Sequence, residues 1–384
     1  MFELTENQKA IRDLVRNYAE DKIKPLADEL DKTGRFPTET IADLTEMGIM
    51  GLNIPEEYGG QGMDEVCKVL AISEISRCCA STAEIVAVHL LVNDVILNQA
   101  TEEQKKRFLP EAAQGKIGCF CLTEPGAGSD AGGLKTRAVK KGDNYVINGT
   151  KCFISNFGPE EGNHFVVITL TDPEKKTRGG MTAFLLPRDT KGLSRGKTES
   201  KMGLNGATVS EVILEDCEVP ASAVMGKEGD GFKVAMSGLD GGRIGIASQA
   251  LGLAQGALEE GVRHANTRVQ FGKPVSSNQG LQWYIADMAT RVEAARLLTM
   301  QAAIKRQNGE PVTKYASMAK YYASEAAGYV CDLALQLHGG YGYIKDYPIE
   351  RMYRDARIIR IYEGSSEIQK IVISREVIKE YPAE

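Results

Sequence analysis

The chain has 384 residues, 42% hydrophobic and 26% charged, an ordinary globular balance long enough for two or three domains at roughly 150 residues each. Forty-six Lys and Arg against 52 Asp and Glu give a net charge of −6, which disfavours nucleic acid or an anionic membrane as the main partner. No run of about 18 apolar residues is evident, so no spanning helix is expected, and residues 1–11 lack the pattern of a secretion signal or transit peptide.

From Leu4 to about Gly115 the hydrophobic period is helical. Thr5 with Gln8, and Thr101 with Gln104, have the spacing of capping boxes. Ile41, Leu44 and Met47 predict a helix that stops at Gly48. From about Ile117 to Gly226 short β-rich runs take over: 144–149 leading into a turn, 164–170, 181–186 and 209–215. Turn signals separate them (141–143, 178–180, 191–192), with no helix-length connection, so an antiparallel sheet is predicted. From about Gly229 long helical stripes return, one through Leu281, Met288, Val292 and Leu298, another through Met318, Ala326, Leu333 and Leu337. Seven glycines lie between Gly238 and Gly261 at a helical period, each costing about 0.5–1 kcal/mol relative to Ala. They predict close approach of that helix to another helix or a ligand. The expected fold is α+β multidomain. An N-terminal α-helical domain spans 1–116, a middle antiparallel β domain 117–228, and a C-terminal four-helix-bundle-like domain 229–384.

The eight cysteines form no C-x-x-C pair and sit mostly in apolar segments, which points to a reducing compartment, the cytoplasm. The four histidines have no ligand-like spacing, so no metal site is expected.

Three stretches concentrate the chemistry. Residues 122–130 contain Gly126-x-Gly128-x-x-Ala131, which matches a dinucleotide fingerprint on paper. That fingerprint requires a helix after it, and a turn and strand are predicted there instead, so the Rossmann reading is rejected. A loop whose backbone N–H groups meet a phosphate or flavin remains, beside the plainer reading of a β-turn with Glu124 and Asp130 as solvated or capping carboxylates. Residues 336–343 carry three glycines within four positions, more than a helix cap needs. In 361–369, Ser366 with Gln369 has capping-box spacing, and Glu363 lies just before it between Tyr362 and Gly364. Burial would raise such a carboxylate toward the pKa of a usable base, although a single Glu is far more often a surface charge.

Together these stretches resemble the acyl-CoA dehydrogenase family over nearly the whole chain: LTEPGAGSD at 122–130, QLHGGYGYIKDYPIERMYRD at 336–355 and YEGSSEIQ at 362–369. The resemblance implies FAD, an acyl-CoA substrate, a homotetramer and an electron-transfer flavoprotein as partner. It implies that Phe120, Leu122, Thr123, Gly128 and Ser129 line the flavin, with Phe153 and Ser155 beside the ring. Arg268 and Phe271 resemble a pair that reaches the FAD of a neighbouring subunit, Gln336 and Gly340 act near its adenine end, and Ser365 and Glu367 follow the base. Ser129, Asp240, Arg243, Tyr362 and Gly364 are implied on the substrate. Some relatives place the base on the long helix, where this chain has Gly242, so Glu363 is the expected base.

The 239–245 stretch resembles short-chain, butyryl-type members. Residues 79–100, implied to line part of the acyl pocket, hold no Arg or Lys, which disfavours a dicarboxylic acyl group. Val92-Asn93-Asp94-Val95 departs from the family pattern and leaves branched or aromatic acyl groups open. Reversal as an enoyl-CoA reductase, an oxygen-using oxidase and a non-enzymatic scaffold are the other readings.

Overall fold

The structure is a computed structural model that describes residues 3–158 and 160–383. Helices α1 (Glu6–Tyr18) and α6 (Glu102–Ala113) both begin on the expected capping boxes, at Thr5–Gln8 and Thr101–Gln104. Between them run α2 (Lys24–Thr33), α3 (Thr38–Glu46), α4 (Glu65–Cys78) and α5 (Ala80–Gln99). By length and composition α5 could cross a membrane, with a mean hydropathy of 1.5, but 94% of that window is buried inside the protein. Its sequence reads as shorter apolar pieces because Glu84, His89, Asn93 and Asp94 interrupt it. A helix apolar all round is a core helix when protein covers every face.

The middle of the chain forms β1 (Gly118–Cys121), β2 (Arg137–Lys141), β3 (Asn144–Ser155), β4 (His164–Leu170), β5 (Met181–Pro187), β6 (Leu193–Thr198), β7 (Val209–Pro220) and β8 (Val224–Met225). Their order in one sheet is β6-β7-β3-β2-β4-β5-β8, with β1 also on β4. Most pairs are antiparallel, as expected, but β1 with β4 and the single β2–β4 pair are parallel. The crossover that parallel pairing needs is supplied by the β2–β3 hairpin and its loops, which turn signals alone do not reveal. The turn expected at Gly149 is instead a bulge: β3 continues to Ser155 with its register shifted between Ile147 and Gly149.

The C-terminal helices are α7 (Gly231–Thr267), α8 (Gln279–Gln307), α9 (Thr313–His338), α10 (Pro348–Ile359) and α11 (Ser366–Glu380). A small hairpin of β9 (Val269–Gln270) and β10 (Lys273–Pro274) follows α7. One apolar core spans this bundle and reaches Val66 and Val69 on α4 and Ala80 on α5. The glycines of α7 make that possible. A Cβ on Gly252 would stand 2.1 Å from the Ser73 carbonyl oxygen, and one on Gly256 2.3 Å from that of Arg77. All eight cysteines are buried and unbridged.

Asp94 ties the halves together. It accepts from Lys68 Nζ at 2.6 Å, Arg306 Nη1 at 2.9 Å and Asn53 Nδ2 at 2.6 Å, while Asn93 donates to the Met50 carbonyl. Within the departure from the family pattern at 92–95, Asp94 therefore serves packing between α4, α5 and α8. Removing one partner of a buried charge network leaves the others uncompensated. Asp94→Leu is expected to lower the unfolding free energy in urea by about 3 kcal/mol, whereas no change would show that Glu65 alone holds both cations.

Candidate active site

The segment between α10 and α11 is a tight turn. Glu363 adopts φ +52° and Gly364 φ +87°, both left-handed. The first is uncommon for a residue with a side chain. Two side chains hold this turn by its carbonyls. Gln369 Nε2 donates to Glu363 O at 3.0 Å and Gly364 O at 2.9 Å. Lys320 Nζ, from the buried middle of α9, donates to Gly364 O at 2.7 Å. The cap of α11 is Ser365, whose Oγ accepts from the Ile368 N–H. The expected Ser366–Gln369 box does not form, because Gln369 is committed to the turn and the Ser366 hydroxyl donates to Glu325. No group among the described residues accepts from the N–H of Glu363.

The Glu363 residue is half-buried, but its Oε2 is buried and has no hydrogen-bond partner. Burial pushes the carboxyl up to about 7; Arg243 and Lys320 oppose that shift and Glu84 adds to it. Burial also lowers the Lys320 ammonium to about 8. Gly242 makes room for the carboxylate, since a Cβ there would lie 2.8 Å from Glu363 Oε2 and 2.4 Å from Leu91 Cδ1. Tyr362 donates its hydroxyl to Gln249. Directly after Gly242 on α7, Arg243 Nη1 pairs with Asp240 at 2.7 Å, and Asp240 also accepts from Thr313 at 2.6 Å.

The β side contributes a loop pinned from below. Glu124 accepts from the N–H groups of Lys135 and Thr136 and from Lys151 Nζ at 2.8 Å. Lys151 is fully buried. Burial opposes ionisation of Glu124, but Lys151 and these donors outweigh it and hold the carboxyl below the usual range. The plainer reading of Glu124 as a solvated charge is thus corrected. A three-residue 3-10 turn (Ala131–Gly133), not a Rossmann helix, follows the glycines. Above this support Gly128 and Ser129 are exposed and Leu122 and Thr123 half-buried. The hydroxyls of Thr123 and Ser129 bond to nothing among the described residues. Phe153 is 65% exposed. Phe120 lies against α7 at Gly238, and the Ser155 hydroxyl donates to Glu84 at 2.6 Å.

The remaining predicted residues gather elsewhere. Arg268 stands over the Tyr341 ring at 5.0 Å, next to Gly340. Gln336 is exposed on α9, sixteen residues from Lys320, roughly 24 Å at 1.5 Å per residue. Phe271 is 98% exposed at the β9–β10 tip, whereas Glu367, exposed on the first turn of α11, stays with the site, close enough to Lys320 to act on it. Sequence reasoning missed Lys320, Gln369, Leu91 and Glu84. Glu84, a lone carboxylate in an apolar run, was the one with a readable signal.

Three family models match the chain in order: acyl-CoA dehydrogenase N-terminal domain on residues 5–116, middle domain on 119–217 and C-terminal domain on 229–378. The chain belongs to the acyl-CoA dehydrogenase family. It is 49% identical over 381 residues to an acryloyl-CoA reductase (NADH) of Anaerotignum propionicum, covering 98% of this chain and 96% of the relative. It superposes with a TM-score of 0.96 on butyryl-CoA dehydrogenase from Megasphaera elsdenii, at 41% identity over 98% of this chain and 100% of that one. A chain from structural work on the electron transferring flavoprotein of Acidaminococcus fermentans and flavin-based electron bifurcation gives a TM-score of 0.96. That match has 43% identity and covers 99% of this chain and 100% of that one. Members of this acyl-CoA dehydrogenase family are flavoprotein oxidoreductases.

Gly242 tests the geometry. Gly242→Ala would displace only the flexible ends of Leu91 and Glu363. It should keep its melting temperature within a few degrees yet lose about 10- to 100-fold in acyl-CoA turnover, because a 1 Å misplacement of a reacting group costs up to that much. Unchanged turnover would show that the carboxylate needs no fixed seat.

Proposed function

We propose that this protein removes hydrogen from carbons α and β of a short-chain acyl-CoA, giving the trans-2-enoyl-CoA, with Glu363 as the base. The observation that carries the reading is a buried, unpartnered carboxylate oxygen beside an unbonded N–H of the same residue, both fixed by the Gln369–Lys320 grip. An α-hydrogen of a thioester is a weak acid, so its removal needs a base and a donor to the forming enolate oxygen. The Glu363 carboxylate takes the α-proton, and the Glu363 N–H donates to the thioester oxygen.

The face formed by the 122–129 loop and the neighbouring Phe153 suits a flavin. It offers unbonded hydroxyls at Thr123 and Ser129, an open backbone at Gly128 and an exposed ring at Phe153. FAD, when bound there, supplies the acceptor for the hydride that leaves carbon β. Ser155, Ser365 and Glu367 are assigned to the same cofactor. Asp240, Arg243, Tyr362, Gly364 and Ser129 are assigned to the thioester. Arg268, Phe271, Gln336 and Gly340 serve the FAD of a neighbouring copy in a homotetramer. Their exposure on a patch remote from Lys320 supports that assignment. The electron acceptor is an electron-transfer flavoprotein, and the compartment is the cytoplasm, which suits eight unbridged cysteines.

A carboxyl near 7 holds both protonation states at neutral pH. The ionised form can take an α-proton, and the acid form can give one back to an enolate. This supports operation as an enoyl-CoA reductase as a second direction at the same site.

Two outcomes test this reading. Glu363→Gln should retain bound FAD, seen as yellow absorption, while butyryl-CoA turnover falls by 10³-fold or more; near-normal turnover removes Glu363 from the role. In the wild type, kcat/KM for dehydrogenation should rise with pH through about 7 and level off above it, because the base works only ionised. A profile flat from pH 5 to 9 would contradict the raised carboxyl.

A further inference from the structure

A second buried carboxyl lies close enough to act on Glu363, and the chemistry above makes no use of it. Glu84, on α5, is 2% exposed. Its Oε1 accepts from the Ser155 hydroxyl at 2.6 Å, and its Oε2 is buried with no hydrogen-bond partner. Native proteins rarely leave such an oxygen bare, so each case asks for an explanation.

Its position in the helix pair is informative. Along α5, Val95 faces Gly238 of α7, Leu91 faces Gly242 and Ala87 faces Gly245. Leu91, Ala87 and Glu84 are spaced by four and three residues and so share one face of α5. Leu91 is the residue that crowds Gly242 together with Glu363 Oε2. Glu84 stands seven residues back, about 10 Å along the helix at 1.5 Å per residue. Leu91, Ala87 and Glu84 thus form one face of α5 with the base at one end and a second carboxyl at the other, close enough to act on it. Lys201 is the cation nearest in influence, and its Nζ donates to the Ala207 carbonyl at 2.8 Å. Asp355 adds like charge to Glu84, and Glu84 in turn raises Glu363 and Tyr362. Burial and Asp355 keep the Glu84 carboxyl above the usual range against the pull of Ser155 and Lys201. Among the described residues nothing satisfies Oε2.

We propose that Glu84 is a specificity-determining residue at the distal end of the acyl site, and that Oε2 receives a hydrogen-bond donor, a hydroxyl or an ammonium, carried at the far end of the acyl group. This deepens the dehydrogenase reading and rests on it. A purely hydrocarbon chain reaching that depth would leave the oxygen bare. A donor-bearing chain would complete it.

The test uses three thioesters of equal length: heptanoyl-CoA, 6-hydroxyhexanoyl-CoA and 6-aminohexanoyl-CoA. Dissociation constants are measured by calorimetry on the holoenzyme, wild type and Glu84→Leu. The wild type should bind one donor thioester at least 10-fold more tightly than heptanoyl-CoA, and the preferred donor identifies the class. In Glu84→Leu the ratio should fall to one or invert, and the melting temperature should rise, because a bare carboxyl is exchanged for an apolar group of similar shape. Both thioesters meet the same flavin site, so the ratio cancels any effect that travels through Ser155. If the leucine variant does not fold, Glu84→Gln supplies the comparison and should lose an ammonium preference while keeping part of a hydroxyl one. Heptanoyl-CoA binding as well as both donor thioesters, or a ratio unchanged by the substitution, overturns the proposal and leaves Glu363 standing as base. Failure of all three to bind while butyryl-CoA still binds overturns this proposal alone; failure of butyryl-CoA as well overturns the acyl-CoA reading.

Discussion

The grip of Gln369 and Lys320 on the carbonyls of Glu363 and Gly364 is the constraint on which the site depends. A left-handed residue with a side chain costs roughly 1–2 kcal/mol. Hydrogen bonds from an ammonium are worth about 1.5–3 kcal/mol each, and an amide adds about 1 more per bond. The grip therefore outweighs the strain it imposes. By turning both carbonyls toward Gln369 and Lys320, it leaves the Glu363 N–H unspent. In the proposed mechanism, base and oxyanion donor thus come from one residue, held by one turn.

The electrostatics follow from where that turn is placed. The glycine-rich face of α7 lets α5 approach closely, so Leu91 and the Glu363 carboxyl meet over Gly242. Burial then raises the carboxyl, and Lys320 and Arg243 keep the shift to a value near neutrality. Lys320 does two tasks here, fixing the backbone and moderating the acid. A larger shift would keep the carboxyl protonated at pH 7, and a smaller one would make it a weaker base.

Much of this was legible in the chain. Capping boxes at Thr5 and Thr101 and the stripes of α8 and α9 are local signals, and the folded helices start and run where they indicate. The glycines of α7 announced close packing, and helices α4 and α5 and Glu363 are what they admit. What stayed hidden was non-local. The parallel β1–β4 pair depends on a crossover, not on any residue pattern. Lys151 under Glu124 is 27 positions away and reads as a surface lysine until the sheet brings the two together. Gln369 looked like a capping-box partner because its spacing from Ser366 fits, yet its carboxamide points back to the turn. Asn93 and Asp94 resembled pocket residues until the Met50 carbonyl beside Asn93 and the cations of α4 and α8 on Asp94 were in view.

The central claim is that Glu363 alone abstracts the α-proton, and exchange of that proton with solvent reads it without any electron transfer. Butyryl-CoA incubated anaerobically with holoenzyme in D2O, with no electron acceptor, should gain deuterium at carbon α by mass spectrometry. The Glu363→Gln protein should show exchange slower by at least 10²-fold, the lower bound for a positioned base. Equal exchange by the two proteins would contradict the account, since some other group would then be taking the proton.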